Sequence, residues 1–106
     1  YAKRYRISHP RTFHQVKRNQ ARSRYYGVID NLTTEEWEAI LQRSGGRCHY
    51  CGQPIGIDRL DIDHIIPLSQ GGSNSADNIV AACRRCNARK NNRPISYMTR
   101  YSGLAP

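Results

Sequence analysis

No stretch of this sequence approaches the roughly 18 consecutive apolar residues that a membrane-spanning helix needs, which excludes a helical span. The first residues, Tyr1 to Arg6, are charged rather than hydrophobic, so no signal peptide is legible. The chain begins at Tyr1 instead of Met, as a fragment or a processed product does. Hydrophobic residues are few, at 38% of 106 residues, so a single small domain is expected, with a core that would gain from a cross-link. Internal repeats and low-complexity tracts are absent, and residues 1–31 lack a clear apolar period.

Acidic residues are missing where basic ones gather. Residues 1–31 hold eight Lys and Arg against Asp30 alone, and residues 84–106 hold six with no acid. Residues 32–83 hold three Arg against seven acids, so a centre poor in positive charge lies between two basic segments. Such segments attract a phosphate backbone by counterion release, without reading sequence. Solvated surface charge is the plainer alternative. In the first segment, Gln15 to Tyr26 has good helix formers and reads as a basic helix, or as an arm that orders on DNA.

The first well-marked element starts at Thr33. Thr33-Thr34-Glu35-Glu36 has the pattern of a capping box, Trp37, Ile40 and Leu41 recur at helical spacing, and Gly45-Gly46 ends the run. Trp37 is read as core. Residues 59–65 alternate, with Leu60, Ile62 and His64 on one face and Asp61, Asp63 and Ile65 on the other, which predicts a strand ended by Pro67. Residues 69–74 read as a loop, residues 79–82 as a second short strand, and residues 84–91 as a helix closed before Pro94.

What the sequence does have is four cysteines in two Cys-x-x-Cys pairs, Cys48/Cys51 and Cys83/Cys86. Two such pairs complete a closed tetrahedral zinc site with no open position, which marks it as structural rather than catalytic. Two disulfides would suit a secreted chain, and a redox pair would not be expected twice. The gap of 31 residues between the pairs is longer than in ordinary zinc ribbons, so a further element is held inside the staple.

That element carries Asp63-His64-Ile65-Ile66-Pro67 and Asn78, and the second pair runs on as Cys86-Asn87-Ala88-Arg89-Lys90. Hydrolysis of a phosphodiester needs a base to activate water and a cation to neutralise developing charge. Histidine is the neutral-pH base, and carboxylate and amide oxygens suit Mg²⁺ or Mn²⁺. Adjacent on a strand, the Asp63 and His64 side chains diverge, so one can hold an ion while the other approaches water. Each residue alone has a plainer reading, as a structural or turn position; their order inside a split four-cysteine staple is the signal.

From Arg47 to Lys90 this order resembles the HNH endonucleases, in the zinc-containing branch found among phage, intron-encoded and restriction nucleases. The helix at 33–46 is of a kind often seen there; residues 1–31 and 94–106 lie outside the likeness. The resemblance implies an α+β fold, a small ββα-metal domain over residues 32–93 stapled by a zinc on Cys48, Cys51, Cys83 and Cys86. It would be preceded by the basic arm or helix at 1–31 and followed by a tail at 94–106. It further implies His64 as general base, Asp63 and Asn87 as ligands of a catalytic Mg²⁺ or Mn²⁺, and Asn78 as the residue that fixes the loop between the strands. Asn87 stands where many members carry His, which leaves an oxygen donor in place of a nitrogen.

The expected function is therefore metal-dependent cleavage of double-stranded DNA, by nicking or by cutting both strands. Arg84, Arg85, Arg89 and Lys90 on the last helix, and Arg18, Arg22 and Arg24 in the first segment, are expected to contact phosphate. A monomer would nick; a homodimer, or a larger phage or restriction assembly, could cut both strands. The expected setting is the cytoplasm of a bacterium or phage-infected host, with no membrane partner. The competing expectation is a zinc-dependent nucleic-acid-binding module that does not cleave. A RING-like protein-interaction module fits poorly, because it needs eight zinc ligands rather than four.

Overall fold

The computed structural model describes residues 10–90; residues 1–9 and 91–106, including the expected tail at 94–106, lie outside the described residues. Among the described residues, three helices and a two-stranded sheet follow one another as α1 (Pro10–Tyr26), α2 (Thr34–Ser44), β1 (Asp61–His64), β2 (Ile79–Ala82) and α3 (Arg84–Lys90). Short 3₁₀ turns sit at Ile57–Arg59, Leu68–Gln70 and Ala76–Asn78. None of the described helices is long and apolar enough to cross a membrane.

Helix α1 starts at Pro10, whose fixed φ and missing N–H suit a first helical position. It ends at Gly27 (φ +67°), where Gly27 N–H bonds the Arg24 carbonyl and Val28 N–H the Ser23 carbonyl, a Schellman closure that needs the left-handed region. Its buried face is Thr12, Gln15, Val16, Asn19 and Ser23, a stripe at helical spacing that is almost wholly polar. Hydrophobic periodicity therefore could not find it. Apart from Asn19 Oδ1, which is buried without a partner, the polar groups are satisfied locally and across the interface. Ser23 and Asn19 bond the carbonyls one turn back, while Gln15 accepts from Trp37 Nε1 (2.9 Å) and donates to the Leu60 carbonyl (3.1 Å). Arg11 adds bonds to the Leu60 carbonyl (2.9 Å) and Asp61 (2.8 Å). Of the two readings, helix or arm, the helix is what forms, and it is docked on the rest of the domain.

Helix α2 carries the expected capping box: Thr33 Oγ1 accepts from Glu36 N–H (3.0 Å), and Glu36 Oε1 accepts from Thr33 N–H (2.9 Å). Gly45, left-handed at φ +62°, closes it. Trp37, Ile40 and Leu41 are buried, with Leu32, Tyr50, Leu60, Ile62, Ile79 and Ala82 completing the core.

β1 and β2 pair antiparallel with Asp61 opposite Ala82, Ile62 opposite Ala81, Asp63 opposite Val80 and His64 opposite Ile79. β2 has the expected bounds, while β1 is shorter than the alternating stretch 59–65, because Ile57–Arg59 turns as a 3₁₀ helix before it. Ile62, Asp63 and His64 are all buried, so the strand is covered on both faces instead of alternating between core and solvent. α3 packs on β1, and α2 packs on β2.

Replacing Gln15 with Ala would leave the Trp37 indole N–H buried without its partner and remove one of the two side-chain hydrogen bonds to the Leu60 carbonyl. The expected loss is about 2 kcal/mol in urea unfolding followed by the fluorescence of the single tryptophan. A loss below about 0.5 kcal/mol would show that α1 is not docked through this residue.

Candidate active site and metal-binding cluster

The two Cys-x-x-Cys turns meet. Cys48 and Cys51 lie on the turn after α2, Cys83 precedes α3, and Cys86 lies in its first turn; their four sulfurs all fall within 4.8 Å of one another. Tetrahedral zinc with bonds of about 2.3 Å would set sulfurs about 3.8 Å apart. Cys51 and Cys83 are at 4.0 Å, too far for a disulfide, and all four cysteines are free. Backbone amides point at the sulfurs: Tyr50 N–H and Cys83 N–H at Cys48, and Cys86 N–H at Cys83. Burial alone would raise the Cys48 pKa, but these amides and that of Cys51 bring it below its ordinary value. Burial raises Cys51 and Cys86, and for Cys86 the crowding of the other sulfurs adds to the rise. Four thiolates this close would need a cation among them, and the donor set fits zinc.

On the other side of the sheet ends lies a cleft of about 350 Å³ whose walls include Asp63, His64, Asn87, Arg22 and Arg84. β1 supplies Asp63 and His64, and α3 supplies Asn87 one residue past a sulfur ligand, so the cysteine cluster fixes the distance between strand and helix. Asp63 is 4% exposed, with its Oδ2 accepting from the Tyr50 hydroxyl and facing Lys90 Nζ at 3.4 Å. Both contacts fall on Oδ2. Burial together with Asp63 pushes the Tyr50 hydroxyl pKa far above its usual value, which keeps it a donor.

His64 is 6% exposed, and its Nε2 lies 2.9 Å from Asn74 Oδ1. Burial is the main reason its pKa falls below the usual histidine value; Asn74 and Asp63 oppose the shift, and the positive charges of Arg22 and Lys90 add to it. The imidazole is therefore neutral at neutral pH, the form that can accept a proton. Asn78 clamps the loop that follows β1: its Oδ1 accepts from Ile66 N–H (2.9 Å), and its Nδ2 donates to the carbonyls of Ile66 (3.0 Å) and Ser73 (2.8 Å). Gly72 permits that closure, since a Cβ there would lie 1.8 Å from the Ile66 carbonyl oxygen.

The expected phosphate contacts divide. Arg18, Arg22 and Arg24 on α1 are exposed, and Arg22 reaches the cleft. Arg84, Arg85 and Arg89 on α3 are exposed too. Arg84 borders the cleft, and all three line a second groove beside the cysteines, with Arg11 and Arg59. Lys90 corrects the expectation. It is 1% exposed, and its ammonium donates to the His64 carbonyl (2.7 Å) beside Asp63. The helix turns it inward, where it pairs with the buried Asp63 carboxylate at the wall of the cleft rather than standing on the exposed basic face. Asp61 is paired with Arg11. Sequence reasoning passed over Tyr50, Gly72 and Asn74; only Asp30, the lone acid of the basic first segment, carried a compositional signal, and it bonds Asn74 Nδ2 at 2.9 Å.

Comparison with known proteins gives one coherent picture. The family model described as HNH endonuclease matches residues 48–93. The chain is 38% identical over 65 residues to the CRISPR-associated endonuclease Cas9 of Corynebacterium diphtheriae, covering 60% of this chain and 6% of that protein. It is 43% identical over 53 residues to the type IV methyl-directed restriction enzyme EcoKMcrA of Escherichia coli, covering 44% and 19%. The crystal structure of the type II-C Cas9 from Actinomyces naeslundii superposes with a TM-score of 0.57 at 30% identity, over 97% of this chain and 10% of that one. The chain thus spans a small part of the length of each of these relatives.

Truncating Lys90 to Ala would leave the Asp63 carboxylate buried without its cation. With no divalent ion added beyond the zinc, the expected loss of stability is roughly 3–5 kcal/mol by denaturant unfolding. An unchanged midpoint, with weaker DNA binding, would restore Lys90 to the phosphate-contacting set.

Proposed function

Residues 48–93 of this chain belong to the HNH endonuclease family, and from that premise we propose that the protein is a metal-dependent DNA endonuclease with His64 as its general base. The observation that carries this reading is the convergence of Asp63, His64 and Asn87 on one cleft bordered by Arg22 and Arg84. A binding module needs none of those three identities in one place, whereas phosphodiester hydrolysis needs a base, hard oxygen donors and positive charge together.

Asp63 and Asn87 would hold the divalent ion. A carboxylate and an amide oxygen, both hard donors, fit Mg²⁺ or Mn²⁺, and such an ion supplies charge neutralisation at the phosphate and the leaving 3′ oxygen. Arg22 and Arg84 bind the phosphate by charge and orient it in the cleft. His64, neutral and shielded from bulk water, takes a proton from the attacking water at the ring nitrogen that Asn74 leaves free. The new bond joins the water oxygen to phosphorus, and the bond from phosphorus to the 3′ oxygen breaks. The ends are a 5′-phosphate and a 3′-hydroxyl. Lys90 and Tyr50 keep the Asp63 carboxylate in place throughout. The exposed arginines of α1 and α3 contribute affinity for duplex DNA that is insensitive to sequence.

The four-cysteine cluster is proposed as a structural zinc site. Binding energies of about 10–16 kcal/mol at such sites match or exceed the stability of a small domain, so metal removal and unfolding are one event. Chelation of the zinc is expected to abolish the helical circular dichroism of the chain, with recovery on adding zinc back. A spectrum unchanged by complete zinc extraction would refute the structural assignment.

Supercoiled plasmid incubated with the protein and Mg²⁺ or Mn²⁺ is expected to become nicked or linear. EDTA should stop the reaction, and His64→Ala should slow it by about 10²- to 10⁴-fold while plasmid retention changes little. Tight, salt-sensitive retention with no cleavage under any divalent ion would instead identify a nucleic-acid-binding module.

A further inference from the structure

We propose that Asn74 and Asp30 are positioning residues that fix the tautomer and orientation of His64, so that Nδ1 is the nitrogen presented to the water. The proposal rests on the reading of His64 as the base, and its argument is one of donors and acceptors.

His64 Nε2 and Asn74 Oδ1 lie 2.9 Å apart, and Asn74 Nδ2 lies 2.9 Å from Asp30 Oδ1. An ionised carboxylate only accepts hydrogen bonds, so the end of the Asn74 amide that meets Asp30 must be the NH₂ group. The opposite end, facing the imidazole, is then the carbonyl oxygen, which also only accepts. The hydrogen between Asn74 and His64 must therefore belong to Nε2. A neutral imidazole carries one N–H, so Nδ1 is left with its lone pair free. Turning the Asn74 amide over would set its oxygen against the Asp30 carboxylate, acceptor facing acceptor. A single acidic side chain thus decides which nitrogen of a histidine 34 positions away along the chain can take a proton.

The surroundings hold the relay in place. Asn74 is fully buried, so water does not compete for its amide. Its main chain is gripped by the connection between α1 and α2: Asn74 N–H donates to the Ile29 carbonyl (2.8 Å), and its carbonyl accepts from the N–H groups of Asn31 (3.1 Å) and Leu32 (2.9 Å). Asp30 is exposed and thus easily substituted without disturbing the core. It also lies outside residues 48–93, so the orientation of the base depends on a segment beyond the matched HNH region.

The test uses the full 106-residue chain with zinc bound. Long-range ¹H–¹⁵N correlation spectra of the His64 ring, recorded on the neutral imidazole without Mg²⁺, are expected to show the Nε2–H tautomer. In Asn74→Ala, and more weakly in Asp30→Ala, the signals should move toward a tautomer mixture. The cleavage kcat should fall about 10- to 100-fold for Asn74→Ala with KM for DNA nearly unchanged. Asp30→Glu, which keeps an acceptor-only carboxylate for Asn74 Nδ2, should restore most of what Asp30→Ala loses. An Nδ1–H tautomer in the unsubstituted protein would overturn the proposal. So would an Asn74→Ala protein, folded by circular dichroism, with unaltered spectrum and kcat. If the unsubstituted protein does not cleave, or His64→Ala cleaves normally, the reading of His64 as base fails, and the spectra still decide the hydrogen-bond relay.

Discussion

Four sulfurs drawn within 4.8 Å of one another tie the turn after α2 to the start of α3, and almost every distance in the candidate site descends from that constraint. The 31 residues between the pairs close into one loop whose ends are pinned, and within it β1 and β2 need only four residues each to align. A two-stranded hairpin of this length is marginal by itself. Here its far end enters the cysteine cluster directly, since Ala82 at the end of β2 is followed by Cys83. Asn87 is fixed by the same means, one residue after Cys86.

The cluster also reaches the site through side chains. Tyr50 stands between the two cysteines of the first pair and donates to Asp63, while Lys90, at the end of the helix that carries Cys86, neutralises the same carboxylate. Asp63 is thus held from both halves of the staple. A buried carboxylate needs such partners, because desolvation without compensation would shift its charge or unfold its surroundings. The arrangement places both contacts on one oxygen, Oδ2.

His64 depends on a different anchor. Its loop is closed by Asn78 and Gly72, and its ring is met by Asn74, which the connection after α1 holds by main chain and by Asp30. The helix α1 is therefore more than a basic surface. Its Gln15 bridges Trp37 and Leu60, so the segment that carries Arg22 to the cleft is bound to the core by hydrogen bonds as well as by the apolar contact of Val16.

The sequence alone determined the features whose signals are local. Cysteine spacing announced the cluster, the Thr33/Glu36 capping box and the Trp37, Ile40, Leu41 period announced α2, and the apolar run 79–82 announced β2. The order Asp63, His64 and Asn78 between the two cysteine pairs, with Asn87 directly after the second, carried the expectation of phosphodiester chemistry. Tertiary structure alone decided the rest. α1 docks through a polar stripe, which has no hydrophobic period to read. Lys90 looked like the other cations of its helix until packing turned it inward. Asp30 and Asn74 are 44 residues apart. Nothing in local pattern or propensity can say that two such side chains meet, because their contact is set by the path of the chain around the core.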